Sequence, residues 1–168
     1  MLNSELLKFG AVNLENLTVI HLDGDFDSVL NLLQGQVTSD CTQLSEQFGQ
    51  ISSLCDEKGF VMCNFEIILD KNKWLIIIEE SSKDIFLDEI SKYLPFYKVS
   101  VKLLDLNIIG VIRNKDEKIL ADEHIIFQSD KALLSLVIRK DKKIKSDLDL
   151  IDWVFNRKFL GDHQINFN

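Results

Sequence analysis

The sequence predicts an α+β fold in which antiparallel strands carry helices on one face. Apolar stretches at 50–54, 60–69 and 74–79 are separated by polar turns at 56–59 and 70–73, the pattern of an antiparallel meander. Helix-periodic segments flank that meander at 26–33 and 82–94. An alternating segment at 99–104 then returns to strand, so helices and strands do not alternate as in a parallel α/β protein.

The bulk composition narrows the function classes. The chain has 168 residues, enough for one domain or two closely packed lobes, and 46% of them are hydrophobic, so a core can form. A net charge of −8 argues against a broad basic face for nucleic acid and against binding to an anionic membrane. The start, Met1-Leu2-Asn3-Ser4-Glu5, lacks the basic and apolar regions of a signal peptide. No apolar run is long enough to span a bilayer. Cys41, Cys55 and Cys63 form no CxxC pair, so the expected setting is a reducing cytoplasm with free thiols.

The first strand is expected at 17–22, rich in β-branched and apolar residues. Asp23-Gly24 turns the chain and Asp25 is placed to cap a helix. Phe26, Val29, Leu30 and Leu33 recur at i, i+3, i+4 and i+7 on one face of it. Gly35 stands where a left-handed C-cap is expected, with Thr38, Ser39 and Asp40 set to cap a short further turn. Between the next two strands, Gly59 takes the position that needs positive φ.

Ser81 or Ser82 opens the second helix, and Pro95, the chain's only proline, is expected to end it. Residues 106–112 form a continuous apolar strand, and 124–128 with 133–138 a hairpin around Ser129-Asp130-Lys131. The lysine-rich stretch 140–145 reads as a solvated connector. Ser146, with Asp149 three residues on, is expected to start a last helix with a broad apolar surface at Leu148, Ile151, Trp153 and Phe155. The tail 161–168 has no apolar set of its own. By this order the expected lobes are 1–48 with 106–168, and 49–105.

Phosphate-loop, dinucleotide, zinc-protease and serine-hydrolase motifs are all absent. His21, His124 and His163 are far apart in sequence, and Cys41 and Cys63 read as small core hydrophobes. Cys55 borders a turn containing Lys58, and a nearby cation lowers a thiol pKa. The informative stretch is 34–40. Its residues suit two caps in series. They also present amide, hydroxyl and carboxylate groups at Gln36, Thr38 and Asp40, which suits the donor and acceptor edges of a polar heterocycle.

Leu32-Leu33-Gln34-Gly35-Gln36-Val37-Thr38-Ser39-Asp40 resembles the "LQGQxTxD" signature of the YgfZ family, folate-binding relatives of the glycine-cleavage T-protein (aminomethyltransferase). Leu54-Cys55-Asp56-Glu57-Lys58-Gly59, then Cys63-Asn64-Phe65, resembles the family's "CDxKG" hairpin and the segment after it. Ile90-Ser91-Lys92-Tyr93, Lys98-Val99-Ser100-Val101 and Leu106-Asn107-Ile108-Ile109-Gly110-Val111 follow in the family's order. The resemblance covers most of the chain, most securely 17–112. It implies a T-protein-like folate-binding fold lacking the C-terminal part, with antiparallel sheets and helices packed on one face.

The resemblance further implies a cytoplasmic tetrahydrofolate-binding accessory protein for iron–sulfur cluster assembly or repair, which affects tRNA modification indirectly. Gln36, Thr38 and Asp40 would line the ligand channel, with Lys58, Gly59 and Asn64 beside them. The partners implied are a reduced folate and iron–sulfur client or assembly proteins, without direct nucleic-acid or membrane binding. Two departures matter. Where catalytic relatives carry paired aspartates this chain reads Cys63-Asn64, so no catalytic residue is assigned and aminomethyl transfer is not expected. The family's C-terminal "KGCYxGQE" motif is also absent. The chain is therefore expected to be a fragment or a shortened relative, prone to pair with itself through an uncovered apolar surface. The alternative is a non-catalytic structural or interaction domain that has lost folate binding.

Overall fold

The structure is a computed structural model that describes residues 7–160 apart from Lys142. His163 and the tail 161–168 lie outside the described residues. The chain divides into two compact units.

The larger unit, 16–105, is an antiparallel five-stranded sheet with helices on one face. Its strands are β2 (Leu17–Asp23), β3 (Gln50–Cys55), β4 (Val61–Asp70), β5 (Lys73–Glu79) and β6 (Ser100–Leu104), in the order β3-β4-β5-β2-β6. The first strand in the chain, β1 (Gly10–Asn13), belongs to the other unit. The helices are α1 (Phe26–Gln36), α2 (Lys83–Ser91) and the short α3 (Leu94–Tyr97). Alternate residues of the strands point toward the helices, as the period of two requires. Ile20, Leu22, Phe65, Ile67, Leu69, Trp74, Ile76 and Ile78 therefore share one core with Val29, Leu32 and Leu33 of α1 and Phe86 and Ile90 of α2. Phe65 and Phe86 meet edge to face at 5.0 Å in its middle.

The smaller unit, 7–15 with 106–160, is a four-stranded antiparallel sheet in the order β1-β7-β9-β8. Here β7 is Asn107–Asn114, β8 is Glu123–Gln128 and β9 is Ala132–Arg139. A last helix, α4 (Leu150–Leu160), lays Trp153 over Gly110 of β7. Across this sheet the Arg113 guanidinium grips the buried carboxylate of Glu123, which also accepts a 3.0 Å hydrogen bond from the Ser135 hydroxyl. That arrangement satisfies a charge that would be costly to bury alone.

Four expectations need correction. The lobe boundary falls at 15–16, not 48–49, because β2 is hydrogen-bonded between β5 and β6 and takes 16–48 into the larger unit. Gly35 is not a left-handed cap: α1 runs through it to Gln36, and Val37, in extended conformation, still donates its N–H to Leu33 O at 2.9 Å. Pro95 does not end α2, which stops at Ser91. It sits in the first turn of α3, where its missing N–H costs nothing. The cap of α4 is Asp149, whose Oδ1 accepts the Asp152 N–H at 2.7 Å, while Ser146 bonds Asn13 instead.

Candidate functional site

The segment after α1 runs along the free edge of β3. Val37 bridges Leu54, Thr38 donates its N–H to Ser53 O at 3.1 Å, and Thr38 Oγ1 accepts the Ser53 N–H at 3.1 Å. Ser39 continues the run with its N–H and hydroxyl both directed at Ser52 Oγ, at 3.2 and 2.9 Å. The ribbon thus covers an edge that would otherwise offer unpaired backbone groups. Because it is extended, successive side chains alternate faces. Ser39 and Ser52 turn toward the helices, and Thr38 and Ser53 turn away from them.

On that second face the Ser53 hydroxyl donates to Asn64 Oδ1 at 2.7 Å. Thr38, Ser53 and Asn64 therefore form one hydrogen-bonded row across three segments of chain. Glu66, two residues along β4 on the same face, is 1% exposed. Neither Ser53 nor Glu66 was marked by the sequence. Their signal was a serine pair and a glutamate inside otherwise apolar strands, where a polar side chain must find partners.

Asp40 lies at the far end of the ribbon and caps a 3-10 turn at Cys41–Gln43, as expected. Its Oδ1 accepts from Thr42 Oγ1 at 2.6 Å, Thr42 N at 3.0 Å and Gln34 Nε2 at 3.0 Å. Among the described residues its Oδ2 takes only a 3.4 Å contact from Gln43 Nε2. The Thr42 hydroxyl first, then the Thr42 amide and Gln34, hold the carboxyl below the ordinary aspartate range. The backbone oxygen of Asp40 accepts from Gln50 Nε2 at 2.8 Å. Gln36, half-buried at the other end of the ribbon, makes no side-chain hydrogen bond among the described residues.

The second polar turn is self-contained. Asp56 Oδ1 accepts the N–H groups of Lys58 and Phe60 at 2.9 and 2.8 Å, and Gly59 adopts φ +83° as its position demands. Lys58 and Gly59 are exposed, and Phe60 beside them is 69% exposed. This turn continues β3 at its Cys55 end, whereas Asp40 sits against Gln50 at the opposite end. At about 3.3 Å per residue the six-residue strand separates them by about 17 Å. The ledge thus brings Gln36, Thr38 and Asn64 near the middle and hairpin end of β3, and leaves Asp40 and Lys58 at its two ends.

The cysteines are free thiols. Burial pushes both Cys41 and Cys63 up to about 11, which fits inert core positions; Cys55 is partly exposed. Burial also lowers the pKa of His21, on β2. Among the described residues, no helix is long and apolar enough to cross a membrane.

No family model matches the chain. It is 34% identical over 88 residues to an uncharacterized protein of Haemophilus influenzae, covering 52% of this chain and 31% of that one. It is 35% identical over 77 residues to the tRNA-modifying protein YgfZ of Enterobacter sp. (strain 638), covering 46% and 24%. Against the tRNA-modifying protein YgfZ of Vibrio vulnificus (strain YJ016) it is 30% identical over 108 residues, covering 64% and 33%. The chain thus matches about a third or less of the length of these relatives. Among solved structures, the glycine cleavage system aminomethyltransferase T from Bartonella henselae shares the fold, with a TM-score of 0.55 and 11% identity over 63% of this chain and 29% of that one.

Proposed function

From a chain that is YgfZ-like and carries the T-protein fold, we propose a tetrahydrofolate-binding accessory protein that is not itself an aminomethyltransferase. The ligand lies along the polar ledge beside β3. Gln36, Thr38 and Asn64 meet its heterocycle, Asp40 closes one end, and Lys58 with Gly59 walls the other. The observation that carries this reading is the ribbon itself: the hydrogen bonds through Ser53 hold Thr38 and Asn64 in fixed register, while the Gln36 amide keeps its hydrogen-bonding capacity. A carboxamide with a spare donor and acceptor suits the amide edge of a pterin.

The protein serves iron–sulfur cluster assembly or repair in the cytoplasm, and through client enzymes it affects tRNA modification. Its partners are the reduced folate and those client or assembly proteins. A single chain with three scattered thiols is a poor ligand set for a cluster of its own. Asn64 stands where catalytic relatives would place a carboxylate, so the ledge offers no general base there.

A second reading is favoured by one observation. Asp40 Oδ1 already takes three donors, two from Thr42 of its own turn and one from Gln34 at the end of α1, which is what a purely structural cap does. On that reading the chain is an interaction domain without ligand. Calorimetric titration of the purified chain with tetrahydrofolate separates the two. Saturable binding supports the folate reading, and a flat titration assigns the chain to the second.

A further inference from the structure

Helix α4 has two unlike faces. Its inner face is accounted for. Trp153 is buried over Gly110, and the Arg157 guanidinium lies 5.7 Å from the centre of the Trp153 ring. Buried Asn156 accepts the Lys8 N–H at 3.2 Å and donates to Asp152 O at 2.7 Å. The outer face carries apolar side chains into solvent. Ile151 is 78% exposed, Phe155 45% and Leu150 41%, and the Phe159 ring stacks on Phe155 at 5.9 Å. Ile151, Phe155 and Lys158 recur at i, i+4 and i+7, so they form one stripe along the helix, with half-buried Val154 beside it. Apolar residues exposed singly are ordinary, but three within two turns of one helix make a contiguous patch.

The charges at the ends of the patch decide what fits it. The first turn is acidic, with Asp152 inside it and the exposed cap Asp149 before it, and the last turn holds Arg157 and Lys158. Asp152 is paired with Lys8 and Arg157 is buried. Asp149 and Lys158 remain, both exposed and neither in an ion pair among the described residues. An apolar stripe with an acid at one end and a base at the other is complementary to itself. Two copies related by a two-fold axis across the helix run antiparallel, so each basic end meets the other's acidic end. The helix dipoles then oppose as well. A partner of one charge sign would match only one end.

We infer that the outer face of α4 is a homodimer interface, in which the Leu150, Ile151 and Phe155 patches of two copies pack antiparallel with Lys158 of each against Asp149 of the other. This stands apart from the folate reading. Three large side chains supply only part of the roughly 800 Å² per partner of a standard interface, so the pairing is weak and depends on concentration.

The test is sedimentation velocity of the wild-type chain, Ile151→Glu and Lys158→Glu from about 5 to about 500 µM, the range in which a weak interface fills. The wild type is expected to move from the monomer mass toward twice that mass as concentration rises. Ile151→Glu is expected to stay monomeric throughout with an unchanged urea midpoint, because the site is too exposed to support the fold. Lys158→Glu sets acid against acid at both ends of an antiparallel pair and is expected to weaken association about tenfold. A wild-type chain that is monomeric at every concentration overturns the dimer. Association that survives Ile151→Glu overturns this face as the interface. Association lost in Ile151→Glu but unchanged in Lys158→Glu overturns the antiparallel seating.

Discussion

Gln34 Nε2 donates to Asp40 Oδ1 at 3.0 Å, and Gln34 Oε1 accepts the Cys41 N–H at 2.9 Å. One side chain on the last turn of α1 therefore holds both the cap and the first residue of the next turn. That corner fixes where the ribbon of Thr38 and Ser39 leaves the helix. Gln34→Leu keeps the aliphatic stem and removes both bonds. It is expected to lower stability by about 1 kcal/mol, the usual net worth of such contacts, and to raise hydrogen exchange at the Cys41 and Thr42 amides. A urea titration with residue-resolved exchange checks both; unaltered exchange at Cys41 would show that the corner holds without Gln34.

Asp40→Ala distinguishes ligand binding from capping. Loss of a cap costs about 1 kcal/mol, which is a shift of a few degrees in melting temperature for a chain of this size. On the folate reading the same variant loses tetrahydrofolate binding altogether. The paired measurement is a thermal melt and a titration on one preparation. A melt that drops with binding intact assigns Asp40 to the cap alone.

Local chemistry was legible in the sequence and long-range pairing was not. The Gly59 turn and the meander of β3, β4 and β5 could be read because their signals lie within a few residues of each other. The place of β2 could not, because its partners at 73–79 and 100–104 are more than fifty residues away and any of several apolar strands could have taken that position. Strand β1 was missed for the same reason, since four residues carry little pattern until Ala11 and Val12 pair with Val111 and Gly110. Within the site, Gln36, Thr38 and Asp40 were visible as residue types. Ser53, which joins Thr38 to Asn64, became visible only with the register.

Two glycines should respond in opposite directions. A Cβ on Gly110 would stand 2.7 Å from the Trp153 ring, and neither the central strand β7 nor the buried indole can retreat. Gly110→Ala should cost about 1–3 kcal/mol. Gly35 sits inside α1 at ordinary helical geometry, and its added Cβ would meet only the Tyr97 hydroxyl at 3.5 Å. Gly35→Ala should stabilise by about 0.5–1 kcal/mol through helix propensity. Urea midpoints measure both. A Gly35→Ala chain that is more stable yet binds tetrahydrofolate less well would show that the glycine is kept for close approach of the ligand.

Acid should weaken the Asp40 corner in a defined window. The Thr42 hydroxyl, the Thr42 amide and Gln34 all stabilise the ionised carboxylate, so its pKa is lower folded than unfolded. A depressed carboxyl contributes stability that is present above its unfolded value, about 3.9, and is lost as pH falls through the lower folded value. Asp23, Asp122 and Asp152 are depressed too, by Lys102, Arg139 and Lys8 respectively, so the whole chain loses stability over the same range. The Asp40 share is isolated by comparing wild type with Asp40→Asn, which keeps the shape and removes the titration. Above about pH 5 the wild type should have the higher urea midpoint, and the gap should close as the pH falls below 4. A gap that stays constant from pH 6 to pH 3 would mean that the Asp40 corner is held by shape and not by its charge.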